Sequence, residues 1–228
     1  MKEQELFECP FCAELNCISS SHYYQQNKPN IEGFSSRIVI STENFVVMPT
    51  VGCFVEGYLL IVTKKHYYSF AEVPPEMMEE LEKLIARVKE VLRNLYGQEV
   101  VCFEHGGAAC SISMGSCIDH AHFHLLPYSG SLTEEIKPFA LNGKRIEDLS
   151  NLRQYGASNT PYLFWQDTDD SMNVVDSGFV PSQFFRRVIA AHYDIPNKWD
   201  WRQYPFIDNM EKTIKNIRSY LEVIYDET

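Results

Sequence analysis

The sequence predicts an α+β protein: a core of about five strands with one long helix over residues 37–128, then a mixed C-terminal tail. Three observations carry this reading. Short apolar runs recur between turn residues from Arg37 to Pro127. A single stretch, beginning at Met77, repeats its apolar residues at the helical period. Beyond about residue 145 neither pattern is sustained.

Taken in order, the first 30 residues are polar and irregular around Cys9-Pro10-Phe11-Cys12. Arg37 to Ile40 and Phe45 to Met48 read as short strands across a Thr42-Glu43-Asn44 turn, and Gly57 to Val62 as a third. Pro74-Pro75-Glu76 opens a helix whose stripe is Met77, Leu81, Leu84, Ile85, Val88, Val91, Leu92 and Leu95, and Gly97 is its stop signal. Glu99 to Glu104 is a strand, Gly106 to Ser116 a Gly- and Ser-rich loop, and Ile118 to Pro127 a fifth strand. In the tail, Pro161 to Trp165 reads as a strand, and Gln183 to Ala191 and Phe206 to Tyr220 as helices. The chain divides into a first unit over residues 1–140 and an extension over residues 141–228.

The 228 residues suffice to bury a real core without covalent staples. The net charge of −11 argues against a nucleic-acid polymer or an anionic membrane as the main partner, although a local site can still take a small phosphorylated molecule. The N-terminal residues lack the basic and apolar segments of a secretory leader, and no run is long enough to span a membrane. The seven cysteines are odd in number and unevenly spaced, so a cytoplasmic location with reduced or metal-bound thiols is expected.

The chemistry concentrates in His120-Ala121-His122-Phe123-His124-Leu125-Leu126-Pro127. On a strand, alternate residues share a face, so the three imidazoles project to one side, neighbours roughly 6.5–7 Å apart. Ala121, Phe123 and Leu125 project to the other side and can bury against a helix. Packing alone does not need three histidines on such a face; a metal-binding face and a reactive imidazole both do. Cys9-x-x-Cys12 is either half of a tetrahedral zinc site or a thiol–disulfide pair. As zinc ligands the pair needs two more donors, for which His66 and one histidine of the row are the sensible sources.

With these residues in hand, the sequence resembles the histidine-triad (HIT) superfamily. His120 to Leu126 matches its His-φ-His-φ-His-φ-φ motif, where φ is apolar, and Gly57 to His66 looks like its strand and turn ahead of the helix. Cys9-x-x-Cys12 looks like the N-terminal pair of the zinc-bearing bacterial branch. The resemblance covers about residues 7–128. It implies a HIT-like antiparallel sheet with a long helix, a homodimer, and a structural zinc held by Cys9, Cys12, His66 and His120. It implies His122 as the nucleophile and His124 as a phosphate contact. Nucleotide hydrolysis or nucleotidyl transfer would then pass through a nucleotidyl-histidine on His122. The substrate classes implied are dinucleoside polyphosphates, nucleotide sugars and nucleoside phosphoramidates. The second nitrogen of His122 is expected to donate to a backbone carbonyl, so that the right lone pair faces phosphorus.

Several positions depart from that pattern. Gly115-Ser116-Cys117 stands where the family often has Gly-Gln-Ser or Gly-Gln-Thr, which makes Ser116 a substrate contact and Cys117 either a reactive thiol or a small packing residue. Thr50 falls where an acidic or amide residue often holds the ribose. Glu104 is either a substrate-orienting group or a strand-end charge. In the tail, Gln183 and Arg187 are expected to close over the substrate, against the plainer alternative of surface ion pairs and tryptophan packing. Two rival functions remain: a non-catalytic nucleotide- or partner-binding module, and a zinc enzyme using all three histidines as ligands.

Overall fold

The structure is a computed structural model and describes residues 9–16, 36–107, 118–139, 141–177 and 180–226. In chain order its helices and strands are α1 (Pro10–Leu15), β1 (Ile40–Ser41), β2 (Phe45–Pro49), β3 (Leu59–Thr63), α2 (Met78–Tyr96), β4 (Glu99–Gly106) and β5 (His122–Tyr128). There follow α3 (Leu132–Ile136), β6 (Lys144–Ile146), α4 (Arg153–Ser158), β7 (Tyr162–Gln166), β8 (Met172–Asp176), α5 (Phe184–His192) and α6 (Ile207–Asp226).

The strands form one antiparallel sheet of eight in the order β1-β2-β3-β5-β4-β7-β8-β6. Four of the five expected strands are present with shifted ends, while the first, expected over residues 37–40, is reduced to Ile40–Ser41 and shares only Ile40 with the expectation. β5 begins at His122 and runs through Pro127 instead of stopping there. A proline lacks the N–H that a central strand needs on both sides. Pro127 is tolerated because pairing to β3 ends at Leu125, so past that point β5 has only β4 as a partner.

The tail adds β6, β7 and β8 to this same sheet, with β7 against β4 from Cys102↔Gln166 to Gly106↔Tyr162. Strands from either side of the 140/141 boundary are therefore hydrogen-bonded neighbours. β6 and β8 were not expected. Lys144-Arg145-Ile146 is short and charged, and its strand conformation comes from pairing with β8 rather than from its own pattern.

Each sheet face has its own core. On one side Phe45, Val47, Leu59, Ile61, Ala121, Phe123, Leu125, Val100 and Cys102 meet α2, whose stripe Leu81, Leu84, Ile85, Val88, Val91 and Leu92 is buried as its spacing requires. Burying each of the large side chains contributes about 1.5–3 kcal/mol. Phe123 also stacks on Phe70, with centroids 4.0 Å apart. Gly97 ends α2 at φ 64°, its N–H closing on Arg93 O at 2.9 Å. The reverse of the histidine strand is thus an ordinary hydrophobic wall. The other face carries the histidines and is covered in two places. Residues of α1 pack on Val46, Met48, Leu60 and Val62, while Phe184, Phe185, Val188 and Ile189 of α5 pack on Val101, Phe103, Leu126 and Trp165. Among the described residues no helix is long and apolar enough to cross a membrane.

Candidate functional site

The Cys-x-x-Cys segment folds as its spacing allows. Pro10, with its fixed φ, starts α1, and Ala13 N–H returns to Cys9 O at 3.0 Å, so one helical turn brings Cys12 back beside Cys9. His66, beyond the end of β3, and His120, ahead of β5, complete the group. Cys9 Sγ is 3.3 Å and Cys12 Sγ 3.6 Å from His120 Nδ1, and Cys12 Sγ is 3.3 Å from His66 Nδ1. All four donor atoms lie within 4.8 Å of one another.

A tetrahedral zinc with its usual bond lengths separates its ligands by about 3.3–3.8 Å, so this donor set fits a metal with little adjustment. The surroundings fit as well. His120 Nε2 donates to Thr63 O at 2.8 Å, which leaves the Nδ1 lone pair facing the thiols. The hydrogen bond from Cys12 holds the Cys9 thiol down at about 2 against burial, helped by His120 and His66, and the same bond pushes Cys12 up. A thiolate, the form that binds metal, is already favoured there. The cluster can hold a metal ion such as zinc.

His122 follows directly. Its Nδ1 donates to His120 O at 2.6 Å, the backbone bond expected from sequence. Nε2 is then the nitrogen with the free lone pair. Of the three rings, His120 is 1% and His124 9% exposed, and His122 alone is more than marginally accessible. Phe11 of α1 meets it edge-on at 5.2 Å. Burial pushes its pKa down to about 4, so the ring is neutral at physiological pH.

His124 faces the same side as His122, with ring centroids 4.8 Å apart. The side chains lean together and close the wider strand spacing. Phe103 stacks on His124 at 4.5 Å, and the Tyr58 hydroxyl is 3.0 Å from its Nδ1. Burial first, then the neighbouring His122, Arg186 and His105, keep His124 well below the ordinary histidine pKa. His105, two residues beyond Phe103 on β4, accepts the Phe185 N–H at 3.4 Å and is pushed down to about 3 by burial and by His122. This part of the site is a group of neutral imidazoles.

Other expected positions fall differently. Thr50 continues β2 on the histidine face, but it is 5% exposed and its hydroxyl donates to Val51 O at 2.9 Å. Ser116 and Cys117, with most of the loop before them, lie outside the described residues. Gln183 is buried at the start of α5 at φ 57°, with Nε2 3.4 Å from Asp200 Oδ1. Arg187 stacks on Trp199 at 3.4 Å and donates to Ser182 O. These contacts tie the tail to itself. The arginine that turns toward the histidines is Arg186, its Cζ 5.2 Å from the Tyr58 ring centroid.

Glu104 corrects both sequence expectations. Strand alternation puts it on the α2 face, opposite the histidines, where it is 1% exposed. One oxygen accepts Phe70 N–H at 2.9 Å and the other Tyr162 OH at 2.5 Å, so it pins the segment after β3 to β7. Burial raises its pKa to about 8. A carboxyl raised on folding holds more protons folded than unfolded between its two pKa values, so the contribution of Glu104 to stability is full below about 4.5 and is lost as pH rises toward about 8. Thermal melts of Glu104→Gln should lose most of this decline; an unchanged decline would place its source elsewhere.

Tyr58, Arg186, His105 and Phe11 were not assigned roles from sequence. Tyr58 was within reach, being in step with Leu60 and Val62 on the alternating pattern. Arg186 was not, because adjacent arginines on a helix diverge by about 100° and only packing selects which turns inward.

Residues 33–130 match the family described as the HIT domain. This segment has a HIT-like fold. Among curated relatives, the chain is 27% identical over 197 residues to zinc finger CCCH domain-containing protein 64 of Arabidopsis thaliana, an alignment covering 81% of this chain and 32% of that protein. It is 25% identical over 173 residues to human CWF19-like protein 1, covering 70% and 30% respectively. The chain thus spans about a third of the length of these relatives. A structure of a hypothetical histidine triad nucleotide-binding protein from Sulfolobus tokodaii aligns with 54% of this chain and 70% of its own, at 20% identity and a TM-score of 0.39. The matched segment contains β1 to β5 and α2, and the remaining strands extend its sheet beyond the family match.

Proposed function

We propose that the chain is a nucleotide hydrolase or nucleotidyl transferase that acts at the α-phosphate through a covalent intermediate on His122. The observation that carries this reading is the His122 ring itself: neutral, its Nδ1 hydrogen committed to His120 O, and the most accessible of the row. The Nε2 lone pair attacks the α-phosphorus of a nucleoside phosphate derivative. An N–P bond forms as the bond to the leaving group breaks, and the leaving group takes that electron pair. Water then attacks phosphorus, the N–P electrons return to His122 Nε2, and the water's surplus proton is released to solvent with the nucleoside monophosphate. A phosphorylated acceptor in place of water makes the reaction a transfer. His124 meets charge that develops on the phosphoryl oxygens.

Zinc on Cys9, Cys12, His66 and His120 would be structural, since four protein donors leave no open position for Lewis-acid chemistry. It would clamp α1, and Phe11 with it, against the start of β5. The three-histidine zinc enzyme is disfavoured because His120 is turned to the cysteines while His122 is bonded to backbone.

The test is to incubate the protein with a panel of dinucleoside polyphosphates, nucleotide sugars and nucleoside phosphoramidates and to measure its intact mass. The expected result is a gain of one nucleotidyl group, the mass of a nucleoside monophosphate less one water, labile in acid and stable in base. Nucleotide binding with no adduct from any member of the panel would replace this reading with the non-catalytic module, which Ser116-Cys117 in place of the family's usual side chains favours.

A further inference from the structure

Arg186 is 4% exposed, and no carboxylate among the described residues forms an ion pair with it. Its Nε donates to Trp199 O at 2.9 Å and Nη2 to Gly52 O at 2.7 Å, while Nη1 is buried with no hydrogen-bond partner. The guanidinium lies over the rings of Phe54 and Tyr58, 4.9 and 5.2 Å from their centroids. A buried cation without a counter-charge is costly, and a neutral side chain of similar size would pack against the same rings. What distinguishes this position is that the charge lies beside Tyr58, whose hydroxyl is 3.0 Å from His124 Nδ1.

We propose that Arg186 and Tyr58 are positioning residues that fix His124 as a neutral Nε2–H donor. The Tyr58–His124 bond has two possible polarities. If His124 Nδ1–H donated to the phenol oxygen, the phenol hydrogen would need another acceptor, and the neighbouring guanidinium offers only hydrogens. With the phenol oxygen turned to the cation, the O–H points at His124 Nδ1, and the ring hydrogen resides on Nε2. Burial lifts the Tyr58 pKa to about 12, so the phenol keeps the proton it donates. The same cation opposes protonation of His124. His122 thus offers a lone pair from Nε2 while His124, 4.8 Å away between ring centroids, offers a hydrogen from Nε2. One ring is set to attack and its neighbour to hydrogen-bond a phosphoryl oxygen. The tail helix α5, outside the HIT match, would therefore contribute to the chemistry through Arg186.

This inference rests on the reading of His122 as nucleophile, but its test is separate. Long-range proton–nitrogen NMR of the histidine-labelled full chain reads each imidazole tautomer directly. Wild type should show His124 as the Nε2–H form. Tyr58→Phe, which preserves the ring packing, should give a mixture of tautomers, and should slow adduct formation about tenfold with nucleotide affinity changed less than about twofold. Arg186→Lys, which retains the charge without the two-carbonyl clamp, should keep the Nε2–H form, and Arg186→Gln should not. An Nδ1–H form in wild type, or a tautomer unmoved by Tyr58→Phe, overturns the proposal. So does an Arg186→Lys chain that folds and loses the tautomer. Absence of an adduct from every chain, with the tautomers as expected, would count against the nucleophile and not against this arrangement.

Discussion

His122→Ala is expected to fold, to bind nucleotide and to form no adduct, with turnover reduced by at least about 10⁴-fold. The size of the loss follows from the chemistry: without a nucleophile the two-step route closes, and only positioning and hydrogen bonding remain. The cost to stability is small by comparison. His122 is at the partly accessible point of the row, and its removal chiefly frees His120 O from one hydrogen bond, about 1 kcal/mol. Rapid-quench measurement of adduct formation beside a thermal melt separates the two effects. Undiminished adduct in this variant would move the nucleophile to another group, with His105 on the same face and Cys117 before the row the first to examine.

If the cluster carries zinc as proposed, stripping it, or replacing Cys12 by serine, should lower the melting temperature by about 8–16 °C. A ligand that binds only the folded chain at about a thousand times its Kd stabilises by about 4 kcal/mol. At about 2–4 °C per kcal/mol for a domain of this size, that is the expected shift. Zinc-finger peptides depend on metal for their whole fold. Here the eight-stranded sheet and α2 have their own core, so a loosened α1 is expected in place of a collapsed chain. Activity should fall with it, because α1 carries Phe11 onto His122 and the metal would steady His120, whose carbonyl holds the His122 ring. Metal content by mass spectrometry, taken with the melt, checks both parts. One full equivalent of zinc retained by Cys12→Ser would remove Cys12 from the ligand set.

Comparing the chain before and after folding separates two kinds of information. The long helix, strands β2 to β5, the cysteine pair and the histidine row were all legible, because each is local: a period of 3.6, a period of 2, or a fixed spacing along the chain. The alternation also decided which side of β5 is core, and Phe123 and Leu125 do bury against α2 while the histidines face away. His66 and some histidine of the row were nameable as partners of Cys9 and Cys12 from the sequence, but the choice of His120 within the row came from a family resemblance. Their meeting depends on α1 folding back over the sheet from more than 50 residues away, with Cys12 and His66 separated by 54 positions and Cys9 and His120 by 111.

Glu104 is the sharpest contrast. As a charged residue near a strand end beside a loop it reads as solvent-facing or substrate-facing, yet pairing of β4 with β5 turns it into the helix-side core, where Phe70 and Tyr162 satisfy it.

By itself, then, the sequence determined the α+β core, the row of imidazoles on one strand face, and a cysteine pair with His66 as candidate metal donors. Only the tertiary structure decided that the tail extends the same sheet, that Arg186 rather than Arg187 turns inward, and that Tyr58 touches His124. The physical reason is range. Periodicity and spacing are written by steric rules along neighbouring residues, whereas strand order and the inward choice between two adjacent arginines are set by packing between segments far apart in the chain.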